Sequence, residues 1–111
     1  MSFPRVRCSH ILLSHADAIE STHSRDLAFA VMDAKRIIHD LQTGGISWAT
    51  AVKENSACNR SWYRDGDLGW FDLTDGVCEE LYFAVNAAPK DILLDEPVQT
   101  PYGIHIIVRT G

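Results

Sequence analysis

The sequence reads as an α+β domain whose strands form a small antiparallel sheet. Three observations carry that reading. A period-two stretch occupies residues 6–13, a stretch of period 3.6 occupies residues 25–43, and two strand-like runs flank Pro101-Tyr102-Gly103. The chain has 111 residues, 46% of them hydrophobic, which predicts one domain with a modest core.

Taken in order, the first element is a strand. Alternation over residues 6–13 sets Val6, Cys8, His10 and Leu12 on one face, with Arg7, Ser9, Ile11 and Leu13 on the other. The polar stretch 14–24 reads as a loop. Leu27, Ala30, Val31, Ala34, Ile37, Ile38 and Leu41 then recur at helical spacing. Ser24 is placed to cap the start of that helix, and Gly44-Gly45 to end it where a left-handed residue is needed. Ser47 is placed to cap a shorter helix over 48–55, with Trp48, Ala51 and Val52 facing inward. Residues 56–65 are polar and irregular. Asp67-Leu68-Gly69-Trp70-Phe71 is too glycine-bounded for a helix and reads as a turn entering a short extended piece. Another short helix is expected from Thr74 or Asp75, with Val77, Cys78, Leu81, Tyr82 and Val85 along one side and Pro89 at its end. Residues 96–100 and 103–109 read as a closing hairpin.

Composition excludes several classes of function. No apolar run approaches the roughly 20 residues that cross a bilayer. No continuous apolar stretch follows the amino terminus as it does in a secretory signal. A membrane is therefore not an expected partner. A net charge of −5 argues against a general nucleic-acid binder. Cys8, Cys58 and Cys78 are odd in number, widely spaced and free of any C-x-x-C pair, which predicts reduced thiols in a cytosolic or nuclear protein.

Two histidines carry most of the remaining chemical interest. His10 and His105 each lie mid-strand among apolar neighbours. A single such histidine is ordinarily a packed or half-buried residue. If the first and last strands are neighbours, however, the two rings can meet on one face and share a hydrogen bond. Cys58 lies in a polar loop, either as an incidental thiol or, beside a histidine, as one of lowered pKa. Cys8, His10, Cys58 and His105 have the ligand types of a zinc site without its spacing, and no nucleophile signature surrounds Cys58. The carboxylates are not clustered for acid–base work, and Trp48, Trp62 and Trp70 are too scattered to propose a binding platform.

Four stretches taken together resemble the parvulin family of peptidyl-prolyl cis/trans isomerases. They are Val6-Arg7-Cys8-Ser9-His10-Ile11-Leu12-Leu13, Gly66-Asp67-Leu68-Gly69-Trp70-Phe71, Pro97-Val98-Gln99-Thr100 and Gly103-Ile104-His105-Ile106-Ile107-Val108-Arg109. The long helix ending at Gly44-Gly45 and the Ser56-Ala57-Cys58 loop fall between them in the expected order. The resemblance covers the chain from Val6 onward. It implies a domain over residues 6–111 after a short segment 1–5, and a β-α3-β-α-β2 fold in which four helices surround a four-stranded antiparallel sheet. It implies non-covalent rotation about X–Pro bonds in proline-containing segments of client proteins, in support of protein folding. No cofactor, metal or nucleic acid is expected to take part, and the domain would act as a monomer in the cytoplasm or nucleus.

The resemblance also implies roles for particular residues. His10, Cys58, Thr100 and His105 would form one polar network, with Leu68 lining the pocket for the proline ring. Cys78 and Phe83 fall at pocket or near-pocket positions in a region about two residues shorter than the family pattern. Val77 and Leu73 both stand as sources for the missing apolar wall. Tyr102 would narrow the pocket from the turn before the last strand. Phosphate-directed relatives carry basic residues in the loop after the first strand, where this chain has Ser14-His15-Ala16-Asp17-Ala18-Ile19-Glu20. Only Arg25 and, beside it, His15 or His23 come within reach, so no strong preference for phospho-Ser/Thr-Pro is expected. The competing expectation is a catalytically weak peptide-binding or chaperone-like domain on the same fold.

Overall fold

The first strand, β1 (Val6–Leu13), pairs on both sides, and this places the two ends of the chain at the centre of the sheet. The computed structural model describes residues 3–21 and 23–111; Met1 and Ser2 of the expected segment 1–5 lie outside them. After β1 come α1 (Leu27–Gln42), α2 (Trp48–Asn55), a 3₁₀ turn (Trp62–Arg64) and β2 (Asp67–Phe71). A second 3₁₀ turn (Leu73–Asp75), α3 (Glu79–Ala87), β3 (Val98–Thr100) and β4 (Gly103–Arg109) complete the order. The sheet runs β2-β1-β4-β3 with every pair antiparallel.

Alternation along β1 divides the core into two layers. Ile11 and Leu13 join Ile104 and Ile106 of β4 beneath Ala30, Ala34, Ile37 and Ile38 of α1 and Ala51 and Val52 of α2. On the opposite face Val6, Cys8, Phe71 and Ile107 pack against Leu81, Tyr82 and Val85 of α3. Helix α3 covers only the Val6–Cys8 half of that face. His10 and Leu12 point the same way but lie beyond it, against an open cavity.

Several boundaries differ from those the sequence predicts, each for a local reason. Helix α1 starts at Leu27 with Asp26 as its cap, rather than at Arg25 behind Ser24. Arg25 is taken up by the preceding loop: its carbonyl accepts from Ala16 N–H, and its guanidinium donates to the Ser14 carbonyl. The helix expected from Thr74 or Asp75 is split. An Asp72–Asp75 capping box closes a 3₁₀ turn, Gly76 turns left-handed (φ 77°), and α3 begins after Cys78. Instead of four helices there are three α-helices and two 3₁₀ turns among the described residues, the piece before β2 having contracted to Trp62–Arg64. β3 begins at Val98 rather than Glu96; Pro97 has no N–H to give a ladder. The α+β class and the four-stranded antiparallel sheet stand. No helix among the described residues is long and apolar enough to cross a membrane.

Two glycines are required by close approach. A Cβ on Gly66 (φ 82°) would fall 2.5 Å from the His10 carbonyl oxygen, and one on Gly103 (φ 142°) 2.5 Å from that of Leu13. They bring the Cys58–Gly66 loop and the β3–β4 turn onto β1.

Candidate active site

The register β1·β4 sets Leu12 opposite His105 and His10 opposite Ile107. The two rings therefore face the same side and stack, with centroids 5.1 Å apart and planes 21° from parallel. Their Nδ1 atoms are 2.9 Å apart, and His105 Nε2 lies 2.7 Å from Thr100 Oγ1. All three residues are buried. Burial lowers the His10 pKa to about 4, and burial together with the neighbouring His10 lowers that of His105 to about 3. Both imidazoles are neutral at pH 7.

Satisfying this chain of polar groups fixes a direction for its protons. Thr100 Oγ1 accepts the Tyr102 N–H (3.2 Å), so its own hydrogen is free to go to His105 Nε2. His105 then carries its proton on Nδ1 and donates it to His10 Nδ1. His10 is left with its proton on Nε2, a buried atom that has no hydrogen-bond partner among the described residues. A buried donor of this kind costs stability unless something binds to it. The residue carrying it lines the cavity.

That cavity has a volume of about 440 Å³. At one end lie Leu68, Val77, Cys78 and Leu81, an apolar wall. Val77 lines it, whereas Leu73 packs into the α3-side core. Leu68 reaches the wall through a β-bulge: Cys8 pairs with Gly69 and Ser9 with Asp67, leaving Leu68 as the extra residue. Gly69 takes φ 73° beside it. Asp67 pins the bulge, accepting from Gly69 N–H (2.8 Å) and from the Arg7 guanidinium on the adjacent strand. The Arg7 and Gly69 hydrogen bonds hold the Asp67 carboxyl below its usual range against the opposing effect of burial.

Cys58 lines the same cavity from a loop stitched to β1. Ala57 N–H donates to the Leu12 carbonyl (2.7 Å), and Ser56 Oγ accepts from both Leu12 and Cys58 N–H. Among the described residues no hydrogen bond joins Cys58 sulfur to the histidines; the linked polar chain is His10–His105–Thr100, with Cys58 facing the same space. Cys8 lies in the core, where burial first, then the charges of Asp67 and Cys58, push its thiol up to about 12. It is chemically inert there. No group of three or more described His, Cys, Asp or Glu residues is arranged to hold a metal.

Tyr102 lines the far end of the cavity, from the β3–β4 turn. Phe83, expected at or near the pocket, lies outside it. It is 47% exposed on α3 and packs edge-to-face against Phe3 and Tyr82. Helix α3 turns Leu81, Tyr82 and Val85 inward, so the next position after Tyr82 is rotated about 100° out of that stripe. Ser56, Arg7 and Asp67 position the site without having been read as part of it. The signal for Asp67 is its place between two glycines beside a strand, a bulge pattern.

Comparison with known proteins places this geometry among relatives. Residues 10–111 match the family model described as a PPIC-type PPIase (rotamase) domain. The chain is 31% identical over 119 residues to a peptidyl-prolyl cis-trans isomerase, ESS1, of Saccharomyces cerevisiae, with 96% of this chain and 66% of that protein covered. It is 30% identical over 123 residues to the peptidyl-prolyl cis-trans isomerase Pin1 of Digitalis lanata, with the full length of both chains covered. The fold superposes with a TM-score of 0.87 on peptidyl-prolyl isomerase ESS1 from Candida albicans, at 23% identity, covering 96% of this chain and 63% of that one. The chain thus spans about two thirds of the length of the two ESS1 proteins.

Proposed function

The chain belongs to the family of PPIC-type peptidyl-prolyl isomerase domains, and we propose that it acts as a parvulin-type rotamase on X–Pro bonds in segments of client proteins. The amide barrier is about 18–20 kcal/mol, and uncatalysed exchange takes tens to hundreds of seconds. Rotation breaks no bond. It requires only that the twisted amide be held better than the planar one, at about 1.4 kcal/mol for each tenfold in rate.

Twisting uncouples the prolyl nitrogen from the carbonyl, so its lone pair becomes basic. A donor aimed at that nitrogen is stronger in the twisted state than in either planar one. The single observation that carries the reading is the unpartnered Nε2 of a neutral, hydrogen-bonded His10, beside a cavity with an apolar wall for a proline ring. In this reading Leu68, Val77 and Cys78 hold the ring, and His105 and Thr100 fix the His10 tautomer. Cys58 tunes the charge beside the bond without attacking it, and neither cofactor nor metal is needed.

A protease-coupled assay on peptides with varied residues before proline tests this, with clear turnover above buffer expected. Rates equal to buffer on every peptide would leave a binding or chaperone-like role. That second reading is favoured by one observation, the absence of Phe83 from the cavity wall. Phospho-Ser/Thr-Pro peptides are expected to show no large advantage. Arg25 is engaged with the Ser14 carbonyl and Asp33 and His15 is buried, which leaves His23 as the one of the three expected cations that lines the cavity. Turnover a hundredfold faster than for unmodified peptides overturns that part. We place the domain as a monomer in the cytoplasm or nucleus, in keeping with its three free cysteines.

A further inference from the structure

The cavity does not end at its apolar wall. Arg60, Leu68 and Val77 line it and also line a second groove of about 360 Å³ on the outer side of that wall. Tyr63, Arg64 and Asp75 join them there. The loop that carries Arg60, Tyr63 and Arg64 is fixed by its own backbone. Trp62 N–H donates to the Cys58 carbonyl, and Arg64 and Gly66 N–H both donate to the Ser61 carbonyl, each at 2.9 Å.

The charges in this groove are not balanced. Asp75 is already committed within the fold: it accepts the Asp72 N–H (2.8 Å) and lies 3.6 Å from the Arg5 guanidinium. Asp67, at the bulge, holds Arg7 and Gly69 N–H, and Arg64 reaches it only at 3.9 Å. Arg64 instead lies over Gly69, where an added Cβ would come within 3.5 Å of its Nη2. Arg60 is exposed, and no described residue pairs with it. Two guanidinium groups thus face one groove without a carboxylate to neutralise them, in a chain of net charge −5. Their forked donors match a carboxylate.

The groove also lies on the path of a substrate. A proline ring seated on Leu68 and Val77, with its X–Pro bond over His10, touches the wall that the cavity and the groove share. Two more residues carry an extended chain about 7 Å onward, over that wall and toward Arg60 and Arg64.

Resting on the isomerase reading above, we propose that the groove of Arg60 and Arg64 receives the two residues that follow proline and selects carboxylate side chains there.

The test is kcat/KM of the full chain on capped Ala-Pro-Glu-Glu, Ala-Pro-Gln-Gln and Ala-Pro-Lys-Lys peptides, followed by exchange NMR of their cis and trans forms. Exposed ion pairs are individually weak, so the glutamate peptide is expected about fivefold above the glutamine one at low salt, with the lysine peptide lowest. Near 1 M salt the Debye length shrinks to about 3 Å, and the ratio should approach one. Arg60→Gln and Arg64→Gln should each lower the glutamate to glutamine ratio. Arg60→Glu reverses a charge at an exposed position and should bring the lysine peptide level with the glutamate one or above it. Equal rates on the three peptides at low salt, or an order unmoved by Arg60→Glu, overturn the groove while leaving an isomerase. No turnover of any peptide overturns the isomerase reading, and the groove with it.

Discussion

Arg7 on β1 grips the carboxylate of Asp67 on β2 through both Nε and Nη2, across the point where the register of the two strands slips by one residue. The same carboxylate holds Gly69 N–H, so one side chain fixes the bulge that aims Leu68 into the cavity.

Asp67→Ala should therefore cost stability and substrate affinity together. The side chain is partly exposed, so the loss is about 1–2 kcal/mol, toward the low end for hydrogen bonds to a charged group. KM for proline peptides should rise several-fold. Urea unfolding and steady-state kinetics check both, and an unchanged KM would separate the bulge from the site.

Acid should weaken the fold before it protonates carboxylates. His10 and His105 have pKa values of about 4 and 3 in the folded chain and about 6.5 when unfolded. Between those limits the unfolded chain binds more protons, so stability rises with pH. It is fully present above about pH 6.5, and each histidine loses roughly 1.4 kcal/mol per pH unit below it. The urea midpoint followed from pH 8 to 4.5 should be flat and then fall. His10→Phe and His105→Phe should each reduce the slope. Activity should stay level across pH 6.5–8, because both rings are neutral there.

The proton arrangement can be read directly. Nitrogen-15 spectra of the imidazoles should show the proton on Nε2 of His10 and on Nδ1 of His105. Thr100→Val removes the donor to His105 Nε2, leaves a buried acceptor unpaired and should cost about 1–3 kcal/mol. It should also scramble the two tautomers. Thr100→Ser should keep both properties. Wild-type-like spectra in Thr100→Val would break the assigned direction.

Gly66→Ala tests the close approach beneath His10. Its Cβ would overlap a main-chain oxygen in a left-handed residue, so a loss of at least about 2 kcal/mol is expected. Thermal unfolding should show it as a Tm drop of several degrees, whereas Gly76→Ala, with open space around its Cβ, should lose less.

Cys58→Asp separates charge from nucleophilicity. Most of the isomerase activity should survive, and mass spectrometry of the wild-type chain under turnover should find no adduct on Cys58. Loss of a thousandfold or more would instead implicate the sulfur in a covalent step.

What was legible in the sequence follows from which interactions are local. The alternation of Val6 to Leu13 marked β1 to its ends, and Ser47 marked α2, because strand period and helix caps act over a few residues. His10 and His105 stood out because a polar ring is unusual at the apolar positions of a strand, although their meeting needed the β1·β4 pairing. The start of α1 was misplaced because Arg25 is drawn into the loop by Ser14 and Ala16. A helix starting at Thr74 or Asp75 would run through Gly76, whose left-handed backbone instead splits two elements. Phe83 is placed near the pocket only by the family resemblance, whereas the Leu81, Tyr82 and Val85 stripe turns it outward. None of these is written in local propensity.

The site is assembled across the joint between the first and last strands of the sheet. His10 must wait for a partner 95 residues downstream, so the pair forms only when β4 docks on β1. Long-range pairing of this kind is slow and comes late in folding. Activity in this protein is consequently a report on completed folding: a chain stalled with its helices formed but β4 undocked would be structured by most spectroscopic measures and silent on proline.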